Sequence, residues 1–263
     1  MDTLIMDTAK WAVFPHASKN FQYPGDKLVQ AWDELHRGDA EPLPDEPAIL
    51  EAWRRFHAGD FSGAVTLADE TGLEAHAVAN KASGIYADYL EEDENSQVAI
   101  YQDGIRRAEA AIREWDDDAN AHYFHAFLLG RYSQSISIGR ALTQGIAGKV
   151  RESLENALSL APEHAEAHTA LGLYHAEIVN KVGRMVGKLT YGASADKALE
   201  HFERALELTP KAPIAHIEYG NGLHLLFGDD RLDDSNAAYE KAAAIKPIDA
   251  MQKLDVEFAR ASI

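Results

Sequence analysis

From Pro47 onward, apolar side chains return every three or four residues within blocks of helical length, separated by short polar or glycine-bearing breaks. The first break is Gly59-Asp60, between a helix opened by Pro47 and one closed by Gly72. Residues 74–90 and 95–115 predict a second pair, and 119–138 with 149–161 a third. Residues 164–189 with 194–209 predict a fourth, and 212–227 with 233–246 a fifth. Asp249 is placed to cap a last helix, 250–261. Upstream, Leu28, Ala31, Trp32 and Leu35 share one face of a short helix from Asp26 to about Arg37. Pro42, Pro44 and Pro47 hold the following stretch extended, and residues 1–26 have no clear period. No strand-like alternation of useful length occurs.

The blocks repeat. Ala75-His76, Ala121-His122, Ala167-His168 and Ala215-His216 recur at intervals of 46, 46 and 48 residues. A helical repeat of this length implies helix pairs stacked on their neighbours rather than one globular core. The expected organisation is an arm with a short helix over 1–45, then an α-solenoid of about five helix pairs over 46–263. The final helix would cap the last repeat's apolar face.

Within the repeats, Ala198, Phe202, Ala205 and Pro210 follow one spacing, with Leu171-Gly172 in the preceding helix. Val150, Leu154, Ala157 and Pro162 follow it again, as do Ser235, Tyr239, Ala242 and Pro247. This spacing resembles the tetratricopeptide repeat, which implies a right-handed all-α superhelix. Gly172 to Ala198 spans 26 residues where that repeat uses 12, and Ala126 to Val150 spans 24. Insertions near 139–149 and 183–192 account for the excess. The divergent pattern, with GRYSQ at Gly130–Gln134 and LTYGA at Leu189–Ala193, resembles regulator of microtubule dynamics proteins and their bacterial relatives. More distantly it is similar to the repeat-containing component of TRAP-type transporters.

Charge is unevenly spread along the chain. The chain carries −18, which disfavours nucleic-acid binding. Residues 131–192 nevertheless hold seven basic and five acidic residues, a net +2 against −20 elsewhere. The chain has no cysteine, so disulfides, thiolate zinc sites and a cysteine nucleophile are excluded. An acidic N-terminus without a long apolar core, and no stretch of about 18 apolar residues, lead us to expect a cytoplasmic protein without a transmembrane segment.

Candidate chemistry is sparse. The recurrent histidines read as repeat-packing imidazoles satisfied by neighbouring groups. His164, His168 and His175 share a helix face, but offsets of four and seven residues rise about 6 and 10 Å, too far to close around one metal. The Gly139–Lys149 segment fails as a phosphate loop, because Thr143 replaces its first glycine and Val150 follows the lysine. Spacing assigns no catalytic residue, cofactor or metal, so the expected protein is not an enzyme. We expect a scaffold whose concave face binds a peptide segment or an anionic partner. Arg131, Lys149, Lys181, Arg184 and Lys188 would supply charge; Tyr132, His175, Asn221 and His224 would supply orientation. The alternative is a lipid or small apolar ligand in a tunnel lined by Leu171, Ile178, Val182, Met185 and Leu189, which read as one stripe. An exposed terminal repeat could also pair two copies into a homodimer.

Overall fold

The computed structural model describes residues 8–136, 141 and 144–263. Of the insertion near 139–149, Gly139, Arg140, Leu142 and Thr143 lie outside the described residues. Every regular element among the described residues is a helix, and the fold is all-α and solenoid-like. The chain divides into two compact units. Unit 1 is built from described residues of Met1–Trp32, Pro42–Ile146 and Asp249–Met251; unit 2 is built from Asp33–Glu41, Ala147–Ile248 and Gln252–Ile263.

In unit 1, α1 (Lys27–Leu35), which belongs to this unit through Trp32, is followed by α2 (Pro47–Ala58), α3 (Phe61–Thr71), α4 (His76–Tyr89), α5 (Glu94–Glu114) and α6 (Ala119–Gln134). From α2 on, each packs against the next. Asp60, Asp93 and Asp118 start α3, α5 and α6 by accepting backbone N–H groups of Gly63, Ser96 and Ala121 at 3.0, 2.7 and 3.0 Å. Trp53 and Phe56 are buried at the centre, with Trp32 edge-on to Trp53. The arm without a sequence period is held by packing. Trp11 stacks on Tyr86 at 4.0 Å, and the Ala12 N–H donates to the Tyr86 hydroxyl at 3.1 Å.

In unit 2, α7 (Ile146–Leu160, in this unit from Ala147), α8 (Ala165–Val182), α9 (Arg184–Tyr191), α10 (Ala195–Leu208), α11 (Pro213–Phe227), α12 (Leu232–Ala244) and α13 (Ala250–Ala261, in this unit from Gln252) follow in order. Phe202 of α10 sits between two glycines. A methyl group at Gly172 of α8 would come within 2.8 Å of its ring, and one at Gly222 of α11 within 2.2 Å. The small residues of the repeat spacing thus let helix backbones close around a large one. Ala259 of α13 packs with Ile217, Ala242 and Ala243, so the final helix covers the last pair as expected.

The Ala-His dipeptides are turn locks. All four alanines are buried. His122, His168 and His216 donate from Nε2 to the carbonyls of Asp116, Pro162 and Pro210, six residues back, at 2.9, 3.1 and 2.9 Å. A carbonyl can only accept, so each of these imidazoles carries its proton on Nε2. The first repeat differs: His76 Nε2 pairs with the Asp118 carboxylate at 2.9 Å, and its ring lies over Trp115.

One predicted element needs correction. Residues 164–189 do not form a single helix, because Gly183 adopts φ +82° and ends α8 at Val182. That left-handed conformation is open to glycine and costly for other residues. The chain restarts as the eight-residue α9 and ends again at Gly192, φ +63°. The apolar stripe is broken with it. Leu171 is buried, whereas Met185 is 77% and Leu189 80% exposed.

Candidate binding surface

The α8–α9 corner of unit 2 is built from short-range chemistry. His164 caps α8 by accepting the Ala167 N–H on Nδ1 at 3.1 Å. After the Gly183 break, α9 lies against α8 with Gly187 facing Ile178 and Val179. The end of α9 is clamped from three sides. Arg151 of α7 and the Tyr174 hydroxyl donate to the Tyr191 carbonyl at 2.9 and 3.3 Å, and Lys197 donates to the Gly192 carbonyl at 3.3 Å. Burial pushes the Tyr174 hydroxyl up to about 12, so it remains a donor at neutral pH.

Beneath this corner lies an imidazole cluster. His168 Nδ1 meets His201 Nδ1 at 2.9 Å, and the His175 ring stacks on His201 with centroids 5.8 Å apart. Because His168 donates from Nε2, its Nδ1 accepts from a protonated His201 Nδ1. Burial, then the neighbouring imidazole, holds His175 and His201 down to about 4, so both are neutral at pH 7. His175 Nδ1 is buried without a hydrogen-bond partner among the described residues. His201 carried no sequence signal, since only the packing of α10 on α8 brings it to His168 and His175. Among the described residues, no three His, Asp or Glu side chains are placed to hold one metal ion.

The predicted site residues separate into groups. Lys181, Arg184 and Lys188 are exposed together at the α8–α9 corner. Lys181 pairs with Glu177 at 3.1 Å, whereas Arg184 and Lys188 make no ion pair or hydrogen bond with described residues. Lys149 is exposed near the start of α7, two residues before the Arg151 clamp, and is likewise unpaired among the described residues. His175 is 3% exposed and belongs to the imidazole cluster. On α11, Asn221 donates to Glu218 at 2.9 Å and accepts from the Tyr239 hydroxyl, while His224 is exposed.

Arg131 and Tyr132 lie in unit 1. Tyr132 is buried, and Arg131 pairs with Asp88 at 2.8 Å while its guanidinium sits over the Phe127 ring. Asp88 also accepts from the Tyr101 hydroxyl at 2.7 Å. Burial raises the Asp88 carboxyl despite Arg131, and raises Tyr101 as well.

Imidazole–carboxylate pairs occur elsewhere, though away from solvent. His57 Nδ1 meets Asp249 at 2.8 Å with its ring packed among Tyr23, Trp53 and Phe56, and His36 Nδ1 meets Asp39 at 3.0 Å. Both pairs are almost fully buried, a structural rather than a catalytic setting.

The helix series and its turns are matched by the family model described as regulator of microtubule dynamics protein 1-3, over residues 62–219. The chain belongs to that family. Regulator of microtubule dynamics protein 3 of Xenopus laevis is 30% identical over 189 residues, covering 70% of this chain and 38% of the relative. The Bos taurus protein of the same name is 27% identical over 193 residues, covering 70% and 37%. The Rattus norvegicus protein is 27% identical over 133 residues, covering 48% and 28%. The chain therefore spans less than two-fifths of the length of these relatives. The family match runs from α3 into α11 and contains the whole α8–α9 corner.

Proposed function

We propose that this chain is a non-catalytic recognition module that captures an acidic protein segment on the cationic corner formed by α7, α8 and α9. The observation that carries the reading is the exposure of Lys149, Arg184 and Lys188 without an acidic partner among the described residues, in a chain of net charge −18. An isolated positive surface on an acidic body selects orientation as well as partner, because mismatched approaches are repelled. The relatives' names concern microtubule dynamics, which fits an acidic protein polymer as one partner. The repeat units read as tetratricopeptide-like, a module that serves recognition, and the imidazoles support a binding role too. Those of α6, α8 and α11 hold turns, and His175 and His201 are stacked and neutral.

The test is retention of the purified chain on polyglutamate-bearing resin, with co-sedimentation on polymerised microtubules as a second probe. Replacing Lys149, Arg184 and Lys188 together by alanine should weaken resin retention roughly tenfold, with strong salt dependence. Equal retention of the variant and the parent would remove this assignment.

A further inference from the structure

The α9 helix has an apolar face that nothing else in the proposed function uses. Met185 and Leu189 are 77% and 80% exposed, and Val186 is 47% exposed. Other exposed large apolar residues are spread over the chain, whereas these three fall within five consecutive positions. Gly187 is the buried side of α9, packed on α8. At about 100° per residue, Met185 and Leu189 each lie roughly 160° around the helix from Gly187. The helix is therefore seated by its glycine and turns its largest apolar side chains outward. Arg184 and Lys188 line one flank of that face at roughly 60° and 100° from Gly187. Gly183 and Gly192 break the backbone on either side, and the Arg151, Tyr174 and Lys197 bonds fix the helix end.

We propose that α9 is a membrane-surface anchor, with Met185, Val186 and Leu189 entering the headgroup–acyl boundary of an anionic bilayer while Arg184 and Lys188 engage lipid phosphates. Apolar side chains beside cations on one short helix face are what interfacial binding requires. No described helix is long and apolar enough to cross a membrane, so α9 would lie on the surface. Two features favour a bilayer over the other occupants. Three side chains offer far less than the roughly 800 Å² that each partner contributes to a standard protein interface. A symmetric contact between two copies would also bring Arg184 and Lys188 against their own kind. The remaining acidic surface does not forbid approach, since charges beyond about 8 Å are screened at physiological salt.

This inference goes beyond the acidic-segment reading and shares with it only the cations of α9. The experiment is co-flotation of the full chain with vesicles of phosphatidylcholine alone or with about 30 mol% phosphatidylserine, near 0.15 M salt. The parent should float only with the anionic vesicles. Met185→Ser/Leu189→Ser should reduce flotation about tenfold while leaving polyglutamate retention and circular dichroism unchanged. Arg184→Gln/Lys188→Gln should lose flotation by about fivefold per cation and lose polyglutamate retention as well.

If the parent stays off anionic vesicles but is held by polyglutamate, the anchor is wrong and the acidic-segment reading stands. If the apolar variant floats like the parent, the anchor is wrong too, because the contact is then charge alone. If Met185 and Leu189 matter only for polyglutamate retention, or only for a concentration-dependent dimer, the face belongs to a peptide or a second copy.

Discussion

Arg131 near the end of α6 and Arg184 at the start of α9 are the same residue type in two chemical settings. In unit 1, Arg131 turns inward to a carboxylate whose side chain is only 10% exposed and already bonded to Tyr101. In unit 2, Arg184 stands on an exposed turn with no counter-ion among the described residues. Both contribute equally to the positive window read from the sequence. Only the second leaves its charge available to a partner. A buried carboxylate holds a nearby guanidinium because separating them would strand a charge out of water. No comparable force acts on Arg184. A count of charges along the chain therefore overstates the cationic surface, and burial decides which members remain.

The sharpest test is the same substitution at both positions. Arg131→Ala should destabilise the chain by about 3 kcal/mol, since it leaves the largely desolvated Asp88 without its counter-ion. Arg184→Ala should change stability by less than about 0.5 kcal/mol. Urea midpoints at pH 7 measure both, and equal effects would erase the distinction between the two settings.

Acidification acts with opposite sign on His175 and on Asp88. His175 is lowered to about 4 in the folded state, against the 6.5 of an ordinary imidazole. Between those values the unfolded chain binds more protons, so this stabilising contribution, present above pH 6.5, is lost as the pH falls towards 4. The loss through His175 is on the order of 3 kcal/mol, with His201 titrating as its coupled neighbour. Asp88 in unit 1 is raised instead, so the folded state takes its proton first and acid does not remove stability through it. Comparing urea midpoints at pH 7 and pH 4.5, His175→Phe should flatten the decline. An unchanged slope would show that the imidazole cluster does not govern acid sensitivity.

Glycines give the smallest contrast. Gly222→Ala forces a methyl group into the Phe202 ring and should cost about 2 kcal/mol even after the gain in helix propensity. At Gly187 the nearest atoms would be 3.6 Å away, an ordinary contact, so Gly187→Ala should stabilise by up to about 1 kcal/mol. Thermal unfolding of the two variants checks the opposite signs.

Much of the helix series was legible in the residues. Pro47 opens α2, Gly59 and Gly72 close α2 and α3, and the predicted helix over 250–261 forms. The Ala-His repeat marked its structural role, although the carbonyl six residues back could be identified only once the turns were seen. The Gly183 break was not legible, because apolar residues continue at helical spacing through it. Lys181, Arg184 and Lys188 were legible as a group because they lie within eight residues of one another. Arg131 could not be told from them by sequence, since its partner Asp88 lies on α4, 43 residues away.

Sequence alone determined that this chain is a run of paired helices with alanines and glycines at their contacts, because local spacing and backbone preference act over a few residues. Tertiary structure alone decided which cations keep their charge in water, which histidines share a proton, and which side of α9 faces outward. Those outcomes depend on desolvation and contact between residues distant in the chain, and no local pattern encodes the distance between them.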